Sequence, residues 1–127
     1  MLLPVLFLAC LPSAGEQGSD DRDAQPVRPP VPSYPPMAAM LGLQGYCEVT
    51  FSVDEQGYPF SLSTSCTQPV FCFQSKKAVS RVVFAPKIVG GRAIPRFNVV
   101  YPLEYTLDGG RAIDRSTFRS CDERAVS

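Results

Sequence analysis

The chain has 127 residues, with twelve Lys or Arg against twelve Asp or Glu, and it lacks histidine and tryptophan. That length limits it to one modest core, and the balanced charge argues against nucleic acid or an anionic membrane surface as partner. Without histidine there is no Ser-His or Cys-His nucleophile pair, no imidazole base and no His-containing metal site.

Met1 to Pro12 (MLLPVLFLACLP) is apolar, but a bilayer span needs about 20 such residues. The run reads as the core of a secretory signal peptide over residues 1–15, cleaved after Ala14 or Gly15. Cys10 carries the alternative, acylation of an exported lipoprotein. Export fits the cysteines too. Of five, Cys10 is cut away or lipidated, and Cys47, Cys66, Cys72 and Cys121 remain to form two disulfides.

Residues 16–33 (EQGSDDRDAQPVRPPVPS) are polar, then charged, then Pro-dense. Such a segment reads as a disordered tether with polyproline II character, reaching about 55 Å at ~3.1 Å per residue. From Tyr34, PPMAAMLGL predicts a short helix opened by proline and stopped at Gly42. Cys47, Val49, Phe51 and Val53 then alternate with polar residues, as do Phe60, Leu62, Thr64 and Cys66 after an Asp54–Gly57 turn. Pairing Val53 with Tyr58 sets Phe51 opposite Phe60 and Val49 opposite Leu62, so both apolar sets share one side of a hairpin.

FCFQSKKAVSRVVF puts Phe71, Ser75, Ala78, Val79 and Val82 on one helical face, ended by Pro86. Lys76, Lys77 and Arg81 point away, as a solvated face or as contacts for an acidic partner segment. Val89 to Gly91 supplies a turn. The last strand carries Phe97, Val99, Tyr101, Leu103 and Tyr105 on one face, and Pro102 within it requires a sheet edge. Residues 108–127 read as a loose tail holding one cysteine. The order gives a small α+β domain: a three-stranded antiparallel sheet with helices on one face, α-β-β-α-β, leaving one face open.

The four thiols gather at one pole of that topology. Cys66 and Cys72 flank TQPVF, and closing so short a loop contributes about 2.4 kcal/mol in the chain-entropy account. Cys66–Cys72 with Cys47–Cys121 is therefore the favoured pairing, other pairings of the same four staying open. A zinc site or a thiol redox enzyme lacks the close Cys pair it needs. No constellation in the sequence suggests an enzyme, a cofactor or a metal.

YPPMA at Tyr34–Ala38, GLQGYCEVTFSVDEQG at Gly42–Gly57, AVSRVVFAP at Ala78–Pro86 and GRAIP with its strand at Gly91–Leu107 together resemble the C-terminal domain of TonB, with residues 34–107 as the matching domain. The resemblance implies a periplasmic module that binds a peptide strand of an outer-membrane TonB-dependent receptor, or of another envelope protein, in transmembrane transport. The strand would add beside the last strand. The implied partner-binding positions are Val31, Tyr34, Pro35, Arg96, Phe97, Asn98, Val99, Val100 and Tyr101. Val31 stands where the family's type member has a receptor-contacting Gln. The resemblance covers the receptor-binding end without a membrane-spanning helix. A structural module of the same fold that self-associates as a homodimer, without energy transduction, is the alternative.

Overall fold

Strict alternation from Cys47 to Val53 builds the strand at the centre of the fold. The computed structural model describes residues 20–122. The signal peptide, the Cys10 alternative, the start of the tether and the end of the tail lie outside the described residues. In chain order the elements are β1 (Gln25–Pro26), α1 (Pro36–Met40), β2 (Gly45–Val53), β3 (Pro59–Cys66), α2 (Cys72–Ser80), β4 (Phe84–Ala85), β5 (Lys87–Val89), β6 (Arg92–Ile94), β7 (Arg96–Tyr105) and β8 (Arg119–Ser120). No described helix is long and apolar enough to cross a membrane.

The main sheet has the order β7-β2-β3-β8, antiparallel throughout. It is the expected α+β sheet with one strand more, because the tail adds β8. Both helices lie on the face where Cys47, Val49, Phe51 and Val53 are buried, and Phe71 and Val79 meet them there. α1 follows from its sequence: Pro36 occupies the first turn, where no N–H is needed, and Gly42 ends it at φ 67°. On α2 the expected apolar face is the buried one, with Ser75 and Val79 fully enclosed. The helix stops at Ser80, before Pro86 is reached.

Register departs from the simple hairpin. Val53 pairs with Pro59 and Ser52 with Phe60, and after a bulge Thr50 pairs with Ser63, Val49 with Thr64 and Cys47 with Cys66. Ser61 (φ 54°) and Asn98 (φ 58°) interrupt the two strands flanking the same stretch of β2. The interruption turns Phe60 and Phe97 onto the outer face, away from the apolar row. There they stand 37% and 57% exposed and meet edge-on at 6.3 Å.

The turn between β2 and β3 is fixed by Asp54, whose carboxylate accepts from the backbone of Gln56 (3.0 Å) and Tyr58 (2.8 Å). Gly57 adopts φ 92°, and a Cβ there would stand 2.0 Å from the Phe84 carbonyl oxygen. Only glycine brings this turn so close to β4.

Two segments expected to be loose are tied down. In the tether region, β1 pairs with β4, and Arg22 exchanges backbone hydrogen bonds of 3.0 and 2.9 Å with Ile88. Asp21 accepts from the Gly90 amide at 2.9 Å, and Arg96 donates to Asp23 at 2.8 Å. The tail crosses the open face at one end of the sheet. Phe118 packs on Tyr46 at 5.8 Å, the Arg115 guanidinium sits 4.3 Å over the Tyr46 ring, and β8 pairs with β3. Composition alone missed both because what holds them is scattered: long-range backbone bonds, the Asp23–Arg96 pair, the Cys72–Cys121 disulfide and single residues such as Ala24 and Phe118 against the rest of the fold.

The disulfides are Cys47–Cys66 and Cys72–Cys121. The expected Cys66–Cys72 and Cys47–Cys121 pairs are thus exchanged. The register explains it: the bulge brings Cys66 directly opposite Cys47, with Cα atoms 4.1 Å apart. Cys72 is left for the tail. The sulfurs of Cys66, Cys72 and Cys121 lie within 4.8 Å of one another, but each is held in a disulfide and offers no thiolate to a metal.

Candidate functional site

β7 is an edge strand: β2 flanks it on one side and no described strand on the other. Which of its backbone groups face outward follows from the ladder. The Tyr46 carbonyl accepts from the Thr67 amide at 2.9 Å, so Tyr46 bonds toward β3. The close Cα approach of Cys47 and Cys66 marks a pair without mutual backbone bonds, so Cys47 bonds toward β7. Alternation then makes Cys47–Leu103 and Val49–Tyr101 the bonded pairs between β2 and β7. Val100, Pro102 and Glu104 consequently turn their backbone groups to the free edge.

That edge is uneven. Val100 and Glu104 each present an N–H and a C=O, whereas Pro102 presents only its carbonyl. The missing donor lies where the incoming strand would read it. Nearer the strand start, the Asn98 amide is turned inward and donates to the Ser52 hydroxyl at 3.4 Å, so backbone pairing along the edge is interrupted there as well.

The side chains divide by parity. Val99 and Tyr101 are half-buried on the helix side, opposite Phe51 and Val49. Val100 is 52% exposed on the outer face, in line with Phe97 and Phe60. Arg96 is held by Asp23, whose pKa is lowered by the Ala24 amide and by Arg96 itself.

The residues of the Tyr-Pro segment are spread over different places. The Tyr34 hydroxyl donates to the Leu43 carbonyl, and its ring stands edge-on to Phe71 and to Tyr105, 5.7 Å from each. It meets β7 only at the strand's far end. Burial raises the pKa of Tyr34. Burial likewise raises that of Tyr105, against the pull of its hydrogen bond with Ser75 at 2.8 Å. Pro35 is buried and precedes α1 as its cap residue. Val31 is 84% exposed and lies along α2, in a groove with Lys77 and Arg81, apart from the β7 edge. The structure therefore joins Arg96 to Tyr101 on one edge and sets Val31 elsewhere.

Sequence reasoning passed over Glu104 and Asp23. Glu104 was readable: proline tolerates only an outward amide in an edge strand, so residues two apart from Pro102 share its orientation. Asp23 had no such signal, since its partner lies 73 positions away.

The profile of the family described as Gram-negative bacterial TonB protein C-terminal matches residues 30–107. Among solved structures, the TonB C-terminal domain of Pseudomonas aeruginosa, determined by solution NMR, aligns at 23% identity with a TM-score of 0.55, covering 72% of this chain and 94% of that one. That likeness is one of fold. No curated protein sequence matches the chain.

Proposed function

The chain belongs to the TonB C-terminal family, and from that premise we propose that it is a periplasmic protein-binding module which accepts an extended segment of an outer-membrane transporter as an added strand beside β7. The observation that carries this reading is the outward row of Val100, Pro102 and Glu104 on the edge of β7 that no described strand covers. Backbone bonds at Val100 and Glu104 supply affinity, and side chains of the added strand that fall on the outer face meet Val100 and Phe97. Behind the edge, β2 is tied to β3 by Cys47–Cys66, and α2, tied to the tail by Cys72–Cys121, packs on both strands. Nothing in this chemistry forms or breaks a covalent bond of the partner.

The test exploits the ladder. Val100→Pro deletes an outward donor and spares the bonds to β2, whereas Tyr101→Pro breaks the ladder itself. The oxidised full chain is immobilised and exposed to outer-membrane extract, and retained proteins are identified by mass spectrometry. Capture of a transporter that is lost with Val100→Pro, while that variant keeps its circular dichroism spectrum, is the expected result. Equal capture by Val100→Pro refutes strand addition at this edge. A concentration-dependent dimer with no transporter retained assigns the edge to self-association instead.

A further inference from the structure

We propose that the groove between residues 27–33 and α2 is a second binding site, which takes an extended acidic segment of a protein partner. The chain passes from Val27, whose amide bonds the Val83 carbonyl at 2.9 Å, to Tyr34 beside Phe71. It thereby runs the length of α2 in the opposite direction and leaves a cleft of about 490 Å³ between the two. Pro29, Pro30 and Pro32 make one wall, and the other is α2 with Ala78. Proline fixes φ, so the wall is stiff and loses little freedom when something is bound against it.

The charges in this cleft are all of one sign. Arg28, Lys77 and Arg81 line it and no carboxylate does. The ion pairs found among the described residues, Arg96–Asp23 and Arg115–Glu104, involve none of the three. Lys77 is instead directed over the Phe73 ring, 5.6 Å from its centroid. In a chain whose formal net charge is zero, a cleft with three uncompensated cations is a local concentration of positive potential, which steers and holds anions.

Shape selects the kind of anion. Lys77 and Arg81 are one helical turn apart, about 6 Å, and Arg28 stands on the opposite wall, so the cations are distributed along the cleft. A single phosphate needs donors converging on one point. Carboxylates spaced along an extended chain, at about 3.3 Å per residue, match a distributed row. The proline rings and Ala78 offer apolar surface to the backbone between them.

The probe is a fluorescein-labelled ten-residue peptide alternating Glu and Ala, with a Gln-Ala peptide as its neutral counterpart. Fluorescence anisotropy is read against the oxidised full chain at 20 and 150 mM salt. The Glu peptide is expected to bind at least tenfold tighter than the Gln peptide at low salt, and to weaken at least threefold at the higher salt. Lys77→Gln with Arg81→Gln should remove at least tenfold of that affinity. Arg28→Gln, on the other wall and outside the helix, should remove at least threefold, which guards against an effect of the helix substitutions on folding. Val100→Pro should leave it unchanged, separating this site from the β7 edge. Equal binding of the two peptides, or insensitivity to all three cation substitutions, overturns the proposal. So does binding confined to inorganic phosphate or to vesicles of anionic phospholipid, which would make the cleft a phosphate site.

Discussion

Gly45→Ala tests the packing that sets the start of β2 against Phe71, the residue that precedes α2. A Cβ added at Gly45 would stand 2.4 and 2.5 Å from two carbons of the Phe71 ring. Ordinary carbon contacts need about 3.5 Å, so the ring must retreat by roughly 1 Å. It has nowhere to go: Phe71 is fully buried, stacked on Tyr105 at 4.3 Å and edge-on to Tyr34 at 5.7 Å. Gly45 is itself paired with Tyr105 across the ladder, which fixes the backbone from the other side. Overpacking of this kind costs about 1–3 kcal/mol. Loosening two aromatic pairs costs up to about 1 kcal/mol each, and replacing a strand glycine returns about 0.5–1 kcal/mol. The net expectation is a loss of roughly 2 kcal/mol, or about 8–16 °C in Tm for a domain of this size. Urea denaturation of the oxidised protein gives the loss directly. Phe71→Leu should relieve the clash, so the double mutant should be more stable than the sum of the single losses by about 1 kcal/mol. A loss below about 0.5 kcal/mol for Gly45→Ala, or strict additivity, refutes the argument.

Other consequences are equally open to measurement. Replacing Cys72 and Cys121 together by Ser opens a loop of sequence separation 49, worth up to about 4 kcal/mol in the chain-entropy account; guanidinium denaturation should register about 2–4 kcal/mol. Amide exchange should quicken at residues 115–121 and stay slow in β2, and unchanged protection of the tail would show that Phe118 and β8 hold it unaided. The Asp23–Arg96 pair gives a pH dependence of known sign. The Asp23 pKa is lowered in the folded chain, so its contribution is present above the unfolded carboxylate value, near 3.9, and is lost as pH falls through the lowered value. Asp23 is 57% exposed, which limits the effect to well under about 1 kcal/mol. Protection factors at residues 21–27, exchange rates divided by the intrinsic rate at each pH, should therefore fall on acidification in the native chain and be already low in Asp23→Asn. Equal acid response in the two would disprove the latch.

The element order was legible because the patterns that announce it are local. Alternation from Cys47 to Val53 needs only one buried face, and the spacing of Phe71, Ser75, Val79 and Val82 needs only one helix on that face. What the sequence concealed depends on counting residues through an irregularity. The bulges at Ser61 and Asn98 move Phe60 and Phe97 to the other face, and the one at Ser61 brings Cys66 opposite Cys47. Neither position is a glycine, so nothing in composition flags a positive φ there. The four thiols were correctly gathered at one pole, yet three sulfurs within 4.8 Å admit several pairings, and register alone chose among them. For the edge the sequence held more than was taken from it, since Pro102 orients its neighbours by parity.

The ties on residues 20–33 give the fold a mechanical character. Tension applied from the N-terminal side meets the Arg22–Ile88 bonds, the Asp23–Arg96 pair and β1 before it reaches Tyr34 and the core. These attachments are few and peripheral, so they would yield one after another, well before the disulfide-tied sheet. Peeling them pays out slack: at ~3.1 Å per residue the freed segment supplies about 40 Å of reach. The same peeling removes the proline wall that faces α2. Load on the chain and occupancy of that cleft would then oppose each other, an acidic segment bound there acting as a brake on extension.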